Sequence, residues 1–341
     1  MTAARIRELA RACGFELAGV AAALPAPDRD RYHAWVAAGR EGKMSYLAGH
    51  RAAVRDDPRH LLPSARSIIV AGKLYQTPWP HSTRFHDSDR AWISRYAWGE
   101  DYHDVIRRDL GRLASLLRAE TGAAFESRIC VDTAPLLERT YARLAGLGWI
   151  GRNTCLINQQ QGSWFFLGEL LVSLEIMPDS PPADRCGTCM RCVEACPTEA
   201  LIPPHGLDAT RCISYFTIEL RGEVPEEHRP AIGNHVFGCD ICQDVCPWNG
   251  RAPVTDDPAF APREFAPNLA ALAAITETEF RAMYRDTPLS RARYSGFLRN
   301  VAIAMGNAAL ETYRPILESL ATHPDAIIAN HARWALSRLS A

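Results

Sequence analysis

The sequence of 341 residues contains no long apolar run. A membrane-spanning helix needs about 18 or more consecutive apolar residues, and because no stretch reaches that length, no membrane span is predicted. Residues 1–10 have the pattern of an amphipathic helix, without the apolar core of a signal peptide or a twin-arginine pair. We therefore expect a cytoplasmic protein in a reducing compartment with no membrane association.

The sequence also lacks an excess of charge of either sign. Its 38 lysines and arginines nearly balance 39 aspartates and glutamates, which gives a formal net charge of -1. With 47% hydrophobic residues, the composition is that of a globular protein long enough for two or three domains. It does not indicate general nucleic-acid binding, although a local basic surface remains possible because net charge averages over all faces.

Cysteine, by contrast, is plentiful and concentrated. A first run has the spacing C-x2-C-x2-C-x3-C-P that is typical of bacterial ferredoxin-type [4Fe–4S] sites. A second run is one cysteine short, and Cys212 is the natural replacement. Zinc sites normally use two pairs of ligands rather than three plus one before a proline, and a reducing compartment disfavours disulfides. The runs are Cys186, Cys189, Cys192 and Cys196, then Cys239, Cys242 and Cys246.

In such motifs the fourth cysteine serves the other cluster, which predicts cross-wiring between the two runs. Cluster one is expected to use Cys186, Cys189, Cys192 and Cys246, and cluster two Cys196, Cys212, Cys239 and Cys242. Cys13, Cys130 and Cys155 lie outside these sets and are interpreted as small buried residues.

The remaining patterns predict four regions. Helical and strand patterns alternate over residues 1–180, which indicates an α/β domain. A proline-rich stretch at 177–184 marks a boundary before a ferredoxin-like module at 181–250. Residues 251–288 are predicted to be a linker with one short helix. Three helical patterns in residues 289–341 indicate a HEAT-like segment that must dock on the rest, because so few repeats cannot stand alone.

Two features of the α/β region allow alternative interpretations. Asp132 follows a predicted strand and precedes Pro135, so it is either a helix cap or a carboxyl at a strand end. In the second case, burial would raise its pKa and let it donate a proton near neutral pH. The glycine-rich turn at 146–153 could allow close approach of a large cofactor, or could only terminate a helix.

The C-terminal segment is rich in arginine. From Arg291 onward there are six arginines and three acidic residues. Charge alone favours a solvated helical face over a phosphate-binding surface.

Several motifs together resemble the epoxyqueuosine reductase family over the whole chain. They are Asp132-Thr-Ala-Pro-Leu-Leu-Glu-Arg139, Ala145-Gly-Leu-Gly-Trp-Ile-Gly-Arg-Asn-Thr154, Phe237-Gly-Cys-Asp-Ile-Cys-Gln-Asp-Val-Cys-Pro-Trp-Asn249, Arg95-Tyr96, Asp101-Tyr102-His103 and Leu298–Asn307. The resemblance implies reduction of epoxyqueuosine to queuosine at the wobble position of tRNA, using cobalamin and two [4Fe–4S] clusters. The fold expected is an α/β cobalamin-binding domain, a ferredoxin-like 2×[4Fe–4S] module and an α-helical HEAT-like segment.

The resemblance also implies roles for individual residues. Asp132 would be the proton donor and would contact the cofactor. The Asp-x-His-x-x-Gly motif that supplies a histidine to cobalt is absent, because Asp101-Tyr-His103 is followed by Asp-Val-Ile. This fits base-off cobalamin without a protein histidine on cobalt. Further expected cofactor contacts are Arg55, Arg95, Arg139, Gly151, Asn153, Ser214 and Asp240, of which Ser214 and Asp240 could instead hydrogen bond cluster sulfurs.

The expected partners are a tRNA carrying epoxyqueuosine in its anticodon loop and an external electron donor, with the protein a monomer. The expected tRNA contacts are Arg221, Arg291, Arg293 and Arg299. One rival is a reductive dehalogenase or corrinoid reductase acting on a small molecule, which the HEAT-like segment disfavours. Another is a simple electron carrier, which would not need a large α/β domain.

Overall fold

The computed structural model describes residues 1–339 and contains thirteen α-helices and ten strands in that part of the chain. The helices are α1 Ala3–Ala12, α2 Arg29–Ala37, α3 His50–Val54, α4 Tyr102–Thr121, α5 Glu138–Leu144, α6 Arg191–Glu194, α7 Arg229–Ile232, α8 Ile241–Asp244, α9 Leu269–Ala274, α10 Glu277–Tyr284, α11 Arg293–Ala308, α12 Arg314–Ala321 and α13 Ala326–Leu339. The strands are β1 Leu17–Ala22, β2 Ser67–Leu74, β3 Trp92–Ile93, β4 Ser127–Cys130, β5 Trp149–Ile150, β6 Leu156–Ile157, β7 Phe165–Val172, β8 Leu201–Ile202, β9 Gly206–Leu207 and β10 His235–Phe237.

The N-terminal region is built on a four-stranded sheet of order β1-β2-β7-β4, in which every neighbouring pair is antiparallel. All of β2 is buried, which agrees with the apolar run in its centre, residues 68–71. Side chains alternate between the two faces: Ile69 packs in the core under α1 and α4, and Ile68 packs in the core under α5. Both faces are therefore covered by helices.

The two long helices of this region begin at polar caps. Thr2 accepts a hydrogen bond from the Arg5 amide at the start of α1, and Asp101 accepts one from the His103 amide at the start of α4. Helix α4 ends at Gly122, whose φ of 61° is left-handed. Because these caps are encoded locally, both helices are close to their predicted bounds, and α4 brings His103 to the edge of the sheet.

The stretch predicted to be a linker is packed against the N-terminal region. Ala259 and Phe260 join the core beneath α4, and Asp257 forms an ion pair with Lys73 at 3.0 Å. Farther along, α9 and α10 cover one side of α11. This stretch therefore connects the C-terminal helices rigidly to the sheet instead of separating them.

The C-terminal helices dock on the rest of the chain, as expected. Helices α11, α12 and α13 share a single apolar core with β3, β10 and α9. Most of the short elements were not predicted, among them strand β1 and helix α9. None of the helices in the described part of the chain is long and apolar enough to cross a membrane.

Candidate active site and iron–sulfur centre

A cavity of about 1480 Å³ opens where the N-terminal region, the cysteine module and the start of α11 meet. Its wall includes Asp132, His103 and Glu138 from the sheet edge, Gly206 from the cysteine module, and Arg293 from α11. The volume exceeds the roughly 300–1,000 Å³ that is usual for a pocket holding one small molecule. The cavity therefore has room for a large cofactor or for more than one ligand.

Asp132 lies two residues beyond β4 and has a φ of 46°, in the left-handed region that few residues other than glycine adopt. Its backbone N–H donates a hydrogen bond to the Glu138 carboxylate. Its side chain is 54% exposed and faces the cavity. Asp132 therefore exposes its carboxyl group to the cavity. It does not cap α5, because the residue that precedes α5 is Leu137.

The Asp132 carboxylate is hydrogen bonded to two neighbouring residues of α4. Tyr102 Oη donates to Asp132 Oδ2 at 2.9 Å, and His103 Nε2 lies 2.9 Å from the same oxygen. The other ring nitrogen of His103 lies 2.6 Å from Asp101 Oδ1. Tyr102 is fixed by stacking on Phe166, with ring centroids 4.3 Å apart. His103 is thus held between two carboxylates, and neither of its nitrogens is free.

This arrangement corrects the expectation that burial raises the pKa of Asp132. Burial does act in that direction, but the hydrogen bond and charge of His103 outweigh it, and the pKa of Asp132 is lowered. Burial alone would lower the pKa of His103, yet its two carboxylate partners raise it to about 9. At neutral pH the proton therefore lies on His103, and Asp132 is ionised.

His103 and Glu138 were missed as site residues, although both stand in the motifs that carry the resemblance. Their sequence signal was the Asp101-Tyr102-His103 triplet and the acid six positions after Asp132. Burial raises the pKa of Glu138 to about 8, and the nearby charge of Asp132 adds to that effect. Sequence spacing alone could not reveal that these groups meet.

Two of the expected cofactor contacts lie in the cavity wall, Arg55 and Arg139. Arg55 is 5% exposed, and its Nη1 donates to the Arg51 carbonyl at 2.9 Å. Arg139 donates to the Thr154 carbonyl, which ties α5 to the turn after β5. Both guanidinium groups therefore line the cavity while bracing its wall.

Arg95 and Asp240 are not in the cavity wall, which corrects their expected roles. Arg95 is 1% exposed, and its guanidinium donates to the carbonyls of Thr77, Trp79 and Pro80. Asp240 is 2% exposed and accepts hydrogen bonds from the Arg95 amide at 2.8 Å and from the side chains of Trp92 and Ser94. Both residues therefore hold the chain between residues 77 and 95 in place beside the cysteine module.

Gly151, Asn153 and Ser214 also lie outside the cavity wall. A Cβ on Gly151 would come within 2.4 Å of Ile157 Cδ1, so the turn's own packing requires this glycine. Asn153 is 4% exposed and donates to the Cys242 carbonyl at 3.2 Å. Ser214 hydrogen bonds the sulfur of Cys212, which matches the alternative interpretation of this residue.

The eight cysteines of the module form two groups in space. Burial raises the pKa of Cys246 to about 11, and the nearby thiols of Cys192 and Cys186 act in the same direction. Cys192 in turn lies near Cys186 and Cys189. Thiolates in such a group are suitable donors for an iron–sulfur cluster.

The second group contains the remaining four thiols. Burial raises the pKa of Cys239 well above its ordinary value, and the nearby thiols of Cys212 and Cys196 add to the effect. Cys242 is hydrogen bonded to Cys155 and lies near Cys239 and Cys212. These proximities are compatible with the predicted ligand sets, which stay a prediction. No disulfide is present among the eleven cysteines, all of which fall in the described part of the chain.

Three of the four arginines expected to contact tRNA line the cavity mouth: Arg221, Arg291 and Arg293. Arg291 forms an ion pair with Glu219 at 2.6 Å and lies over the Tyr46 ring. Arg221 donates to the Arg291 carbonyl at 2.6 Å. Arg293 is exposed and forms no hydrogen bond or ion pair within residues 1–339.

Arg299 is the exception, and its expected contact with tRNA is wrong. It is 1% exposed in α11, and its guanidinium donates to the carbonyls of Leu220 and Gly222 at 2.9 and 2.7 Å. Burial lowers its pKa to about 10. Arg299 therefore fastens α11 to the cysteine module and cannot reach a phosphate.

Comparisons with known proteins agree with both halves of this site. A family model described as a 4Fe-4S double cluster binding domain matches residues 185–249. A model described as epoxyqueuosine reductase QueG matches residues 55–133, which include the Asp132 loop. Epoxyqueuosine reductase of Xanthomonas campestris is 43% identical, over 98% of this chain and 96% of its own, and that of Escherichia coli K12 is 37% identical, over 98% and 89%.

Solved structures give the same result. A crystal structure of epoxyqueuosine reductase with an epoxyqueuosine-modified tRNA-Tyr stem loop has a TM-score of 0.90 and 30% identity, covering 99% of this chain and 90% of that one. The Bacillus subtilis enzyme, with its catalytic aspartate loop swung out of the active site, has a TM-score of 0.89 and 31% identity, covering 98% and 90%.

The match to the double-cluster domain and the relatives that cover nearly the whole chain define the class of this protein as an iron–sulfur oxidoreductase. The matches over nearly the full length identify it further. The chain belongs to the epoxyqueuosine reductase family.

Proposed function

We propose that this protein reduces epoxyqueuosine to queuosine in the anticodon loop of tRNA, using cobalamin in the cavity and electrons from two [4Fe–4S] clusters. The observation that carries the proposal is the Asp132–His103 pair, which holds a proton at the wall of a cavity that residues of the cysteine module also line. Relatives that cover nearly the whole chain are named for this reaction. We expect the protein to act in the cytoplasm as a monomer, with an external electron donor.

The reaction determines how many electrons and protons the site must supply. Removing the epoxide oxygen as water and leaving an alkene consumes two electrons and two protons. The clusters would be ligated in the cross-wired pattern and would transfer the electrons one at a time. The protons must come from groups that hold them near neutral pH and that face the substrate.

The cavity suits cobalamin in size and in the groups that line it. Arg55 and Arg139 would hold its polar periphery. When bound, cobalamin would supply a strongly reducing, carbon-reactive cobalt centre. His103 has both ring nitrogens hydrogen bonded to carboxylates, which supports binding without this histidine on cobalt.

Asp132 and His103 would act together as the proton source. Asp132 faces the cavity and would pass a proton to the departing oxygen, and His103 would replace it, since the pKa of His103 is raised to about 9. Asp101 keeps the imidazole oriented by a hydrogen bond to its second nitrogen. The proposed acid is therefore the pair, with Asp132 as the member that touches the substrate.

The tRNA would approach through the mouth of the cavity. RNA loops are recognised by arginines on phosphates and by aromatic rings that stack on splayed bases. Arg291 and Arg293 stand at the mouth together with Tyr46 and Trp35. Arg221 is largely occupied by carbonyls and would position Arg291.

The direct experiment is anaerobic reconstitution with iron, sulfide and cobalamin, followed by turnover of a stem loop that carries epoxyqueuosine. We expect about eight iron atoms and about one cobalt per chain, a base-off corrinoid spectrum, and queuosine as product. Turnover without cobalamin, or reduction of a small halogenated compound but not of the stem loop, would refute the proposal.

Replacing Arg293 with alanine should weaken stem-loop binding and lower the slope of log affinity against log salt by about 0.7, because one phosphate contact is lost. The measurement is binding of the stem loop by the reconstituted protein over a range of salt concentrations. Arg281→Ala is the matched control, since Arg281 is an exposed arginine on α10 that does not line the cavity. Equal slopes for both variants would remove Arg293 from the interface.

A further inference from the structure

A second acidic group lies behind the Asp132 loop, in the interior of the sheet. Glu169 is in the middle of β7, between Val70 on β2 and Cys130 on β4, and it is fully buried. Neither of its carboxylate oxygens meets an N–H or O–H donor within the described residues. An ionised carboxylate in such a place would be very unfavourable, so Glu169 must keep a proton.

The polar group that Glu169 faces is another carboxyl, that of Glu138. Two carboxyl groups can form a hydrogen bond only if at least one of them is protonated. Burial raises the pKa of both groups, that of Glu138 to about 8 and that of Glu169 well above its ordinary value. The pair therefore holds a proton near neutral pH, and that proton can join the two side chains.

Glu138 connects this pair to the active site. It is the first residue of α5, it lines the cavity, and it accepts the backbone N–H of Asp132. That hydrogen bond supports a residue whose φ of 46° is otherwise unfavourable. The position of Asp132 thus depends on where the Glu138 carboxyl points.

We propose that Glu138 and Glu169 form a proton-sharing pair that positions Asp132, and that the Asp132 loop stays in place only while the pair keeps its proton. With the proton present, Glu169 donates to Glu138, and Glu138 accepts from the Asp132 amide. Without it, two carboxylates in contact repel each other inside the protein. Only Glu138 can then move, because it borders the cavity while Glu169 is fixed in the sheet.

This inference rests on the proposed function only in giving Asp132 a role in the reaction. The Glu138–Glu169 pair itself is a property of the folded chain. The ionisable groups that face the pair are Cys130 and Asp132 from β4 and the following loop, Tyr102 and His103 from α4, Arg139 from α5, and Arg55 from the end of α3. The nearby charge of Asp132 raises the pKa of Glu138, and the cations of Arg139 and His103 oppose it. None of these groups stands between the two glutamates as a donor.

Infrared spectroscopy of the protein without cobalamin or tRNA tests for the proton. At pH 7 the wild type should show a protonated-carboxyl band that weakens in Glu169→Gln and changes in frequency in Glu138→Gln, where the buried Glu169 keeps its proton but loses its carboxyl partner. Asp244, whose pKa burial raises to about 7, is common to all samples and cancels in the difference spectra. Glu175→Gln, at an exposed glutamate, is the control and should leave the band unchanged. If Glu169→Gln also leaves it unchanged, no proton is shared.

Hydrogen exchange of the Asp132 amide tests positioning. Since the pKa of Glu138 is raised from 4.5 to about 8, the loop should be held most firmly below pH 4.5 and should loosen as the pH rises through about 8. After correction for intrinsic exchange, wild-type exchange should rise at least about tenfold from pH 6 to pH 9. In Glu169→Gln the rise should be under about threefold, because an amide donor does not ionise.

His103 is present in both proteins, so its own titration does not explain a difference between them. Equal pH dependence in wild type and Glu169→Gln would overturn the positioning role. Because neither readout involves turnover, both results stand even if the proposed reaction is wrong.

Discussion

Asp132→Asn is expected to lower turnover of the epoxyqueuosine stem loop by about 10²–10⁴-fold, the usual range for loss of a general acid–base group. The asparagine keeps the size of the side chain but cannot give a proton to the departing oxygen. Cobalamin uptake, cluster content and stem-loop affinity should stay within about twofold of the wild type, because the substitution changes only the proton-bearing group. The measurement is single-turnover kinetics of the anaerobically reconstituted protein.

Asp104→Asn is the matched control, since Asp104 is an exposed aspartate on α4 that does not line the cavity. It should leave turnover unchanged. The wild-type rate should also fall as the pH rises through about 9, where His103 loses the proton that recharges Asp132. If Asp132→Asn retains more than about a tenth of the wild-type rate, Asp132 is not the acid, and the loop serves only to shape the cavity.

The features that could be predicted from sequence are those encoded by near neighbours. The cap at Thr2 and the left-handed Gly122 fix helix ends within a few residues of chain. The cysteine spacing likewise predicts which thiols share a cluster, and the proximities around Cys246 and Cys239 are compatible with that prediction. In each case the relevant partners are close in sequence or belong to a motif with one known geometry.

The arginines show where this reasoning fails. Arg293 and Arg299 are one and a half helical turns apart and look alike in sequence, yet one is exposed at the cavity mouth and the other is buried. The difference comes from the carbonyls of Leu220 and Gly222, which belong to a distant segment that α11 covers. Arg95 is buried for the same reason, by carbonyls of residues 77–80. Side-chain spacing within α11 carries no information about those acceptors.

The prediction of the ionisation state of Asp132 failed for a similar reason. Its partner His103 lies 29 positions earlier in the chain, and only the packing of α4 beside the end of β4 brings them within 2.9 Å. The rise in pKa expected for Asp132 is wrong, whereas burial does raise the pKa of Glu138 and Glu169, which have no cation bonded to them. The sign of a pKa shift thus depends on tertiary partners that a motif does not specify.

Removing cysteines in pairs should distinguish cross-wired from sequential clusters, with the largest effect on iron content. In the cross-wired pattern, Cys186→Ala with Cys246→Ala removes two ligands of the same cluster. About four of the expected eight or so iron atoms should remain. Cys186→Ala with Cys196→Ala removes a ligand from each cluster, so iron should fall close to zero. Turnover should be lost in both variants, because the path for electrons to the cavity is broken.

The two double variants control for each other, since each loses two cysteines from the same module. Cys13→Ala, at a buried cysteine in the N-terminal core, should keep the full iron content and the wild-type visible spectrum. Sequential wiring would reverse the result, because Cys186 and Cys196 would then share a cluster and their joint removal would spare the other. The proximity of Cys246 to Cys186 and Cys192 favours the first outcome.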